Sequence, residues 1–168
     1  IIGTSHEELP ENGYGNQRWM TVSGNYIHIL FPDFNGYESE LNYIRSIDGG
    51  NTFTTTTLRS GDAPYYSPHI ECDGQTVAIS ITVYNNNGLR VISSLDGGET
   101  FNDTLIVQPQ RLVDLKVQGN NWALLGYGDG KIYHTTSSDG GKNYTTQNIA
   151  RKAADDNYYA DFWTPFSY

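Results

Sequence analysis

The octet S-I-D-G-G-N-T-F at residues 46–53 recurs as S-L-D-G-G-E-T-F at residues 94–101 and, more loosely, as S-S-D-G-G-K-N-Y at residues 137–144. The aspartates of the three octets, Asp48, Asp96 and Asp139, lie 48 and 43 residues apart. A repeat of roughly 40–50 residues is the length of one four-stranded propeller blade. A single octet would predict only a turn between two strands. Three octets at near-constant spacing predict a chain built from one repeated β unit.

Each octet has the residues of a tight β-turn that its own side chains stabilise. Asp can fold its carboxylate back onto nearby backbone N–H groups, and the paired glycines permit positive φ without steric cost. The aromatic residues that end the octets supply apolar bulk that anchors the turn to the sheet; they are Phe53, Phe101 and Tyr144. A calcium loop is the alternative interpretation, but it needs further oxygen ligands at fixed offsets and a closing Glu, which the octets lack. We therefore interpret the octets as scaffold and expect neither a metal nor another cofactor.

The octets resemble the Asp box, also called the bacterial neuraminidase repeat, which marks sialidases and many other secreted β-propellers. Two octets match that pattern fully, while the third ends in Asn143 and Tyr144 in place of Thr and Phe. The resemblance covers most of the chain and implies a secreted or cell-surface β-propeller. It implies less about activity, because the boxes of this family lie away from its active site.

The composition favours an all-β protein, because the helix formers Leu, Ala and Glu are scarce while β-formers and turn residues are plentiful. It also argues against nucleic-acid binding. The chain has 168 residues and a formal net charge of −9, with 10 Lys and Arg against 19 Asp and Glu. Nucleic acid requires a basic footprint, which is missing here. No apolar run approaches the roughly 20 residues of a membrane span. The chain begins at Ile1 and not at Met, so we expect that a leader or an upstream domain has been removed.

The same order of short segments precedes each octet. A strand ends at a glycine turn, a second strand follows, and a variable loop leads to a third strand that enters the octet. This pattern predicts four-stranded antiparallel blades over residues 17–58, 67–107 and 112–149, and the start of a further blade over residues 158–168. The predicted fold is therefore an all-β propeller segment of three blades and the beginning of a fourth.

Alignment of the three units on their first glycine turn brings apolar residues into columns, which we expect to pack between neighbouring blades. Met20, Ile70 and Leu115 share one position, and Val22, Cys72 and Val117 share another. Cys72 is the single cysteine, so it cannot form an internal disulfide, and we expect a buried structural thiol.

Three blades do not close a ring in the ordinary way, because propellers typically have 4–8 blades. Three explanations are open. The chain is a piece of a longer protein whose remaining blades complete the ring, or two or more copies join, or an unrelated partner covers the open faces.

Strand direction sorts the loops of such blades onto two ends. The glycine turns and the octets share one end. The other end, where propellers usually bind their ligands, receives the second-to-third loops and the connections between blades, among them the predicted loops at residues 59–67 and 126–131. Five tyrosines in these loops are candidate ligand-binding residues, namely Tyr37, Tyr65, Tyr66, Tyr84 and Tyr127. Their rings suit stacking on a sugar or contact with a surface protein, and the alternative is that they are ordinary exposed loop residues.

Four residues near the starts of inner strands are candidates for catalysis, namely Arg18, Glu71, Arg111 and Asp114. Sialidases of the resembled family bind the substrate carboxylate with three arginines and use a Tyr–Glu pair with an Asp acid/base. Paired carboxylates could serve glycoside hydrolysis, whereas an Arg at a strand start more often forms a surface or inter-blade pair. We expect an extracytoplasmic module that recognises a glycan or a surface protein. The alternatives are part of a sialidase-like glycoside hydrolase and a structural subunit of a surface assembly.

Overall fold

The computed structural model describes residues 18–34, 39–62, 65–83, 88–107 and 111–151. These residues form twelve β-strands in three sheets, and each sheet contains four strands that lie side by side in chain order. Neighbouring strands within a sheet are antiparallel. The prediction of an all-β fold made of four-stranded antiparallel propeller blades is therefore confirmed. Within these ranges the structure has no helix of the length and apolarity that crossing a membrane would require.

The strands of each blade follow one another from the inner edge to the outer edge. The first blade consists of β1 (Met20–Ser23), β2 (Tyr26–Phe34), β3 (Ser39–Ser46) and β4 (Thr54–Asp62). The second consists of β5 (Tyr65–Asp73), β6 (Thr76–Val83), β7 (Leu89–Ser94) and β8 (Asn102–Ile106). The third consists of β9 (Arg111–Gln118), β10 (Asn121–Gly128), β11 (Lys131–Ser137) and β12 (Thr145–Arg151). The further blade predicted over residues 158–168 lies outside the described residues.

Each blade has two apolar faces, because successive side chains of a strand point to opposite sides of the sheet. We call the face that points to the preceding blade the leading face, and the face that points to the following blade the trailing face. In β6, Val77 and Ile79 lie on the leading face, and Ala78 lies on the trailing face; all three are fully buried. Burial on both sides is therefore a property of the middle blade.

Two hydrophobic clusters join the three blades. The first lies between the trailing face of the first blade, through Leu30 and Tyr43, and the leading face of the second, through Ile70 and Ile79. The second repeats this arrangement one blade later; it joins Ala78, Leu89 and Val91 to Leu115, Trp122 and Leu124. Apolar burial of this kind is the main favourable term in folding.

Met20, Ile70 and Leu115 occupy equivalent positions on the leading faces of the three blades, but their exposure differs. Ile70 and Leu115 are completely buried between blades, as the alignment predicts, whereas Met20 is 55% exposed. Val22 is likewise 56% exposed, while its counterpart Cys72 is half-buried. Met20 and Val22 are exposed because they lie on the leading face of the first blade, against which none of the described blades packs.

The strands are longer than the sequence pattern suggests at the end opposite the octets. The predicted loop at residues 59–67 belongs mostly to β4 and β5, and the predicted loop at residues 126–131 contains the end of β10 and the start of β11. Pairing continues there because the backbone groups find cross-strand partners, as in Tyr65 opposite Val83 and Tyr127 opposite Ile132.

The first strands of the blades form the inner edge of the structure. Immediately before β1, the N–H of Arg18 donates to the carbonyl of Pro68 at 3.2 Å, and the N–H of Ile70 donates to the carbonyl of Arg18 at 3.0 Å. These bonds form an isolated parallel bridge between Arg18 and His69. The first and second blades are thus joined by backbone hydrogen bonds as well as by side chains.

Candidate functional site

The first octet is a turn whose hydrogen bonds come from its own residues. The hydroxyl of Ser46 donates to Asp48 Oδ1 at 2.7 Å and accepts the N–H of Gly50 at 2.9 Å. The N–H of Thr52 donates to Asp48 Oδ1 at 2.9 Å, and its hydroxyl donates to Asp48 Oδ2 at 2.6 Å. Both oxygens of the carboxylate are therefore hydrogen-bonded within eight residues of sequence.

The second and third octets repeat this network with one exchange of residue type. Asp96 accepts from the N–H of Thr100 at 3.0 Å and from its hydroxyl at 2.5 Å. In the third octet Asn143 occupies the position of the threonine, and its Nδ2 donates to Asp139 Oδ2 at 2.7 Å. The departure from the sequence pattern at Asn143 is thus chemically neutral, because an amide N–H replaces a hydroxyl as the donor.

These hydrogen bonds favour the charged form of each octet aspartate. Donation from the side chain and backbone of Thr52, with a contribution from Ser46, lowers the pKa of Asp48 to about 2. The side chain and backbone of Asn143 lower the pKa of Asp139 to about 2 as well. Thr100 has the same effect on Asp96, whose pKa lies well below its usual range.

The octet carboxylates are therefore occupied by protein donors and not arranged as metal ligands. In the part of the chain that the structure describes, no three His, Cys, Asp or Glu side chains come together as a group that could hold a metal ion.

The octets lie at the same end of the molecule as the glycine turns between the first two strands. The N–H of Gly49 donates to the carbonyl of Asn25 at 3.0 Å, and the same bond recurs from Gly97 to Gln75 at 2.8 Å and from Gly140 to Asn120 at 3.0 Å. Each bond links the two turns of one blade. We call this end the octet end and the other the opposite end.

The second octet also packs on the blade before it. A Cβ built on Gly98 would fall on the hydroxyl of Tyr43, and the ring of Phe101 meets the ring of Tyr43 edge-on with centroids 5.0 Å apart. Arg45 reinforces the contact by donating from a guanidinium nitrogen to the carbonyl of Gly97 at 3.1 Å. The matching ring of the first octet, Phe53, is 51% exposed.

The tyrosines proposed as ligand platforms have different positions in the structure. Tyr65 and Tyr66 begin β5, and Tyr127 is the penultimate residue of β10, where it is half-buried. These three residues are therefore strand residues and not loop residues, although all lie at the opposite end. Tyr37 and Tyr84 lie outside the described residues.

The opposite end is also where the strand pairing becomes irregular. The register shifts between Tyr66 and His69 in the second blade, and between Leu125 and Gly126 in the third. Further shifts occur at Ser39/Glu40, Leu41/Asn42 and Ile132/Tyr133. All five lie in the half of the strands away from the octets. Such bulges redirect side chains and are common beside functional sites.

Three of the four candidate catalytic residues contact a residue of a neighbouring blade along the inner strands. Arg18 is paired with Glu71 of the second blade, and the ammonium of Lys116 in the third blade lies 3.4 Å from the same carboxylate. Asp114 lies 3.7 Å from the buried ring of His69, and its Oδ1 accepts the N–H of Leu115 at 2.9 Å. This arrangement matches the inter-blade pair that is the usual role of an Arg at a strand start.

Arg111, the fourth candidate, is the first residue of β9, where its backbone pairs with Tyr127. The structure therefore brings Arg18 and Glu71 together. It places Asp114 beside His69.

A buried polar pair between the first two blades was not anticipated from the sequence. His28 Nδ1 lies 2.6 Å from the hydroxyl of Tyr43, and both side chains are completely buried. Burial, and secondarily the charge of Arg45, lowers the pKa of His28 from 6.5 to about 4. The only signal in the sequence is a histidine inside the apolar run of β2, and such a run does not reveal the partner on β3.

Comparisons with known proteins do not assign a family. No family model matches the chain. No curated protein matches it either. Among solved structures, a chain described as "YCF48 bound to D1 peptide" is similar, with 18% sequence identity and a TM-score of 0.46. The similarity covers 73% of this chain and 43% of that one.

Proposed function

We propose that this chain is an extracytoplasmic binding or interaction module of the Asp-box propeller type, and that it recognises a glycan or a surface protein through its opposite end. The Asp-box assignment and the location rest on the three octets and on the acidic, turn-rich composition. The assignment of the binding end rests on the structure of the blades.

The observation that carries the proposal is the contrast between the two ends. At the octet end, the same glycine-to-carbonyl hydrogen bond and the same carboxylate network recur in all three blades. At the opposite end, the pairing of the described strands is interrupted at five places, and these places differ from blade to blade. A regular end suits a scaffold, and an irregular end presents a different set of side chains from each blade.

Tyr127 is the tyrosine whose surroundings support this role best. It lies directly before the tight turn between β10 and β11, in which Asp129 and Gly130 both have positive φ, at 51° and 66°. Two central residues of positive φ are typical of the compact turns that join hairpin strands. A half-buried tyrosine beside such a turn combines an apolar ring with a polar hydroxyl, which suits stacking on a sugar or a partner side chain.

We favour binding over hydrolysis because of the pairs that the candidate catalytic residues make. Arg18 is engaged by Glu71, and Lys116 lies on the other oxygen of that carboxylate, so both oxygens of Glu71 have cationic partners. A sialidase-like role would require Arg18 to bind a substrate carboxylate in place of Glu71. A structural subunit of a surface assembly is our second candidate, because Met20 and Val22 on the leading face of the first blade are apolar and exposed.

The test compares tyrosine variants with a control at the octet end. We expect Tyr127→Ala and the double variant Tyr65→Ala/Tyr66→Ala to lose binding on a glycan array or to a surface-protein partner. Ile47→Ala removes an exposed apolar side chain in the first octet and should leave binding unchanged.

Melting temperatures distinguish a binding role from a packing role. The proposal requires that the tyrosine variants lose binding while their melting temperatures stay close to that of the parent chain. If the tyrosine variants bind normally, or if Ile47→Ala loses as much binding as they do, the opposite end is not the recognition surface.

A further inference from the structure

Among the described residues, one leading face and one trailing face are more exposed than the equivalent faces of the other blades. On the first blade, Met20 and Val22 are more than half exposed, while Ile70 and Leu115, at the position of Met20, are completely buried. On the trailing face of the third blade, Leu125 is half-buried. Its counterparts Leu30 and Ser80 in the first two blades are buried.

The chain itself indicates what covers such faces, because it builds the same junction twice. At both junctions an apolar leading face packs on the trailing face of the blade before it. At both junctions, the N–H of a turn glycine also donates to a side chain of the preceding blade. The acceptor is the residue directly before that blade's own turn glycine. These bonds run from Gly74 to Ser23 Oγ at 2.9 Å and from Gly119 to Asp73 Oδ2 at 2.8 Å.

The two uncovered faces carry the two halves of this junction. Gln118 occupies the position of Ser23 and Asp73, and it is exposed at the end of β9 with a carbonyl that can accept a hydrogen bond. Gly24 occupies the position of Gly74 and Gly119, and it is exposed as well. A third junction of the same kind would bring the N–H of Gly24 to the side chain of Gln118.

We propose that two copies of this chain pack head to tail, with the leading face of each first blade on the trailing face of the other copy's third blade. The described residues of each copy form three blades, so those of two copies give six, within the range of roughly 4–8 blades at which propellers close. Three copies would exceed that range. The two junctions are equivalent by two-fold symmetry, so the assembly covers every leading and trailing face of the described blades.

The first experiment measures the mass of the full chain in solution. We expect a dimer by light scattering and native mass spectrometry. Val22→Glu buries a charge in both junctions, so it should raise the dissociation constant by about a hundredfold or more. Val107→Glu is the matched control, because Val107 is 66% exposed at the outer edge of the middle blade, and it should leave the dimer intact.

A cross-link tests the head-to-tail geometry. Within the chain, the hydroxyl of Thr21 lies 3.4 Å from the sulfur of Cys72 across the first junction. Lys116 occupies the position of Thr21, and Val22 occupies that of Cys72. In a Cys72→Ser background, the pair Val22→Cys and Lys116→Cys should therefore form a covalent dimer under mild oxidation. The pair Val107→Cys and Lys116→Cys should not.

Each outcome decides the proposal. A covalent dimer whose mass does not grow with concentration supports the closed ring. A ladder of higher oligomers would indicate an open filament and overturn closure. A chain that stays monomeric, or a dimer that Val22→Glu leaves intact, would overturn self-association through this face and would favour blades from elsewhere as its cover.

Discussion

Gly98 and Gly50 occupy the same position of two octets, yet alanine should be tolerated at one and not at the other. Both residues have positive φ, at 83° and 94°, so alanine strains the backbone at either site by about 1–2 kcal/mol. At Gly50 the added Cβ would meet the end of the Ile27 side chain at 3.3 Å and Cζ of Phe53 at 3.8 Å, which are ordinary or slightly tight contacts. At Gly98 it would fall on the Tyr43 hydroxyl and lie 2.7 Å from Cζ of that ring.

Gly98→Ala should therefore carry an additional cost of overpacking. Tyr43 is completely buried and bonded to His28, so its ring has little room to move. Overpacking of a close-packed core costs about 1–3 kcal/mol. We expect Gly98→Ala to lower the free energy of unfolding by about 2–5 kcal/mol, and Gly50→Ala by about 1–2 kcal/mol, the latter from φ alone.

Urea denaturation, followed by far-UV circular dichroism, measures both variants on one scale. Tyr43→Phe provides the internal control. Removing the hydroxyl should cost about 1–3 kcal/mol in the parent chain, because it takes away the partner of the buried His28 Nδ1. It should also make the further change Gly98→Ala less costly than it is alone. Equal destabilisation by Gly98→Ala and Gly50→Ala, or strictly additive effects with Tyr43→Phe, would refute packing of the second octet on the first blade as the cause.

The stability of the fold should depend on pH in two separate ranges, the higher one because of His28 and the lower one because of the octet aspartates. Because the pKa of His28 falls from 6.5 in the unfolded chain to about 4 in the fold, the unfolded state binds more protons between these values. Stability should therefore fall as the pH drops from 6.5 to 4, and the loss should be smaller in His28→Gln, as equilibrium unfolding at each pH would reveal. The folded pKa of Asp48 and of Asp139 is about 2 against an ordinary 3.8, so their contribution is present above pH 3.8 and is lost as the pH falls through 2. In the double variant Asp48→Asn/Asp139→Asn, the free energy of unfolding should change less with pH in that lower range only. An unchanged pH dependence there would contradict the role of these carboxylates.

The regular half of the fold could be predicted from the sequence because its signals are local. The turn chemistry of an octet lies within eight residues, and alternation marks strands such as β6. The end opposite the octets was less predictable. The neighbours of the three tyrosines at that end are turn-forming residue types. Tyr65 and Tyr66 lie between Pro64 and Ser67, and Tyr127 lies between two glycines, so all three resemble loop residues. Whether a strand continues there depends on cross-strand partners such as Val83 and Ile132.

Contacts between blades could not be derived from the sequence, because they depend on how one sheet sits on the next. Arg18 and Glu71 are 53 residues apart, and their pairing follows from the bridge between Arg18 and His69. The alignment places Ile70 and Leu115 in the core correctly. It cannot distinguish them from Met20, since all three are equally apolar and differ only in which blade precedes them.

The hydrogen bond between the two turns of each blade has both of its partners in that blade, so each blade is a structural unit that can be duplicated as a whole. From Gly49 to Asn25, and at the same place in the other blades, the bond stays inside one sheet. A genetic duplication of one unit would carry the complete turn network with it. The surfaces between sheets, by contrast, differ from one junction to the next. A histidine and a tyrosine lie at the first junction, and an alanine and a valine occupy the same positions at the second. The turns therefore make the units interchangeable in shape, and the differing faces specify which unit stands next to which.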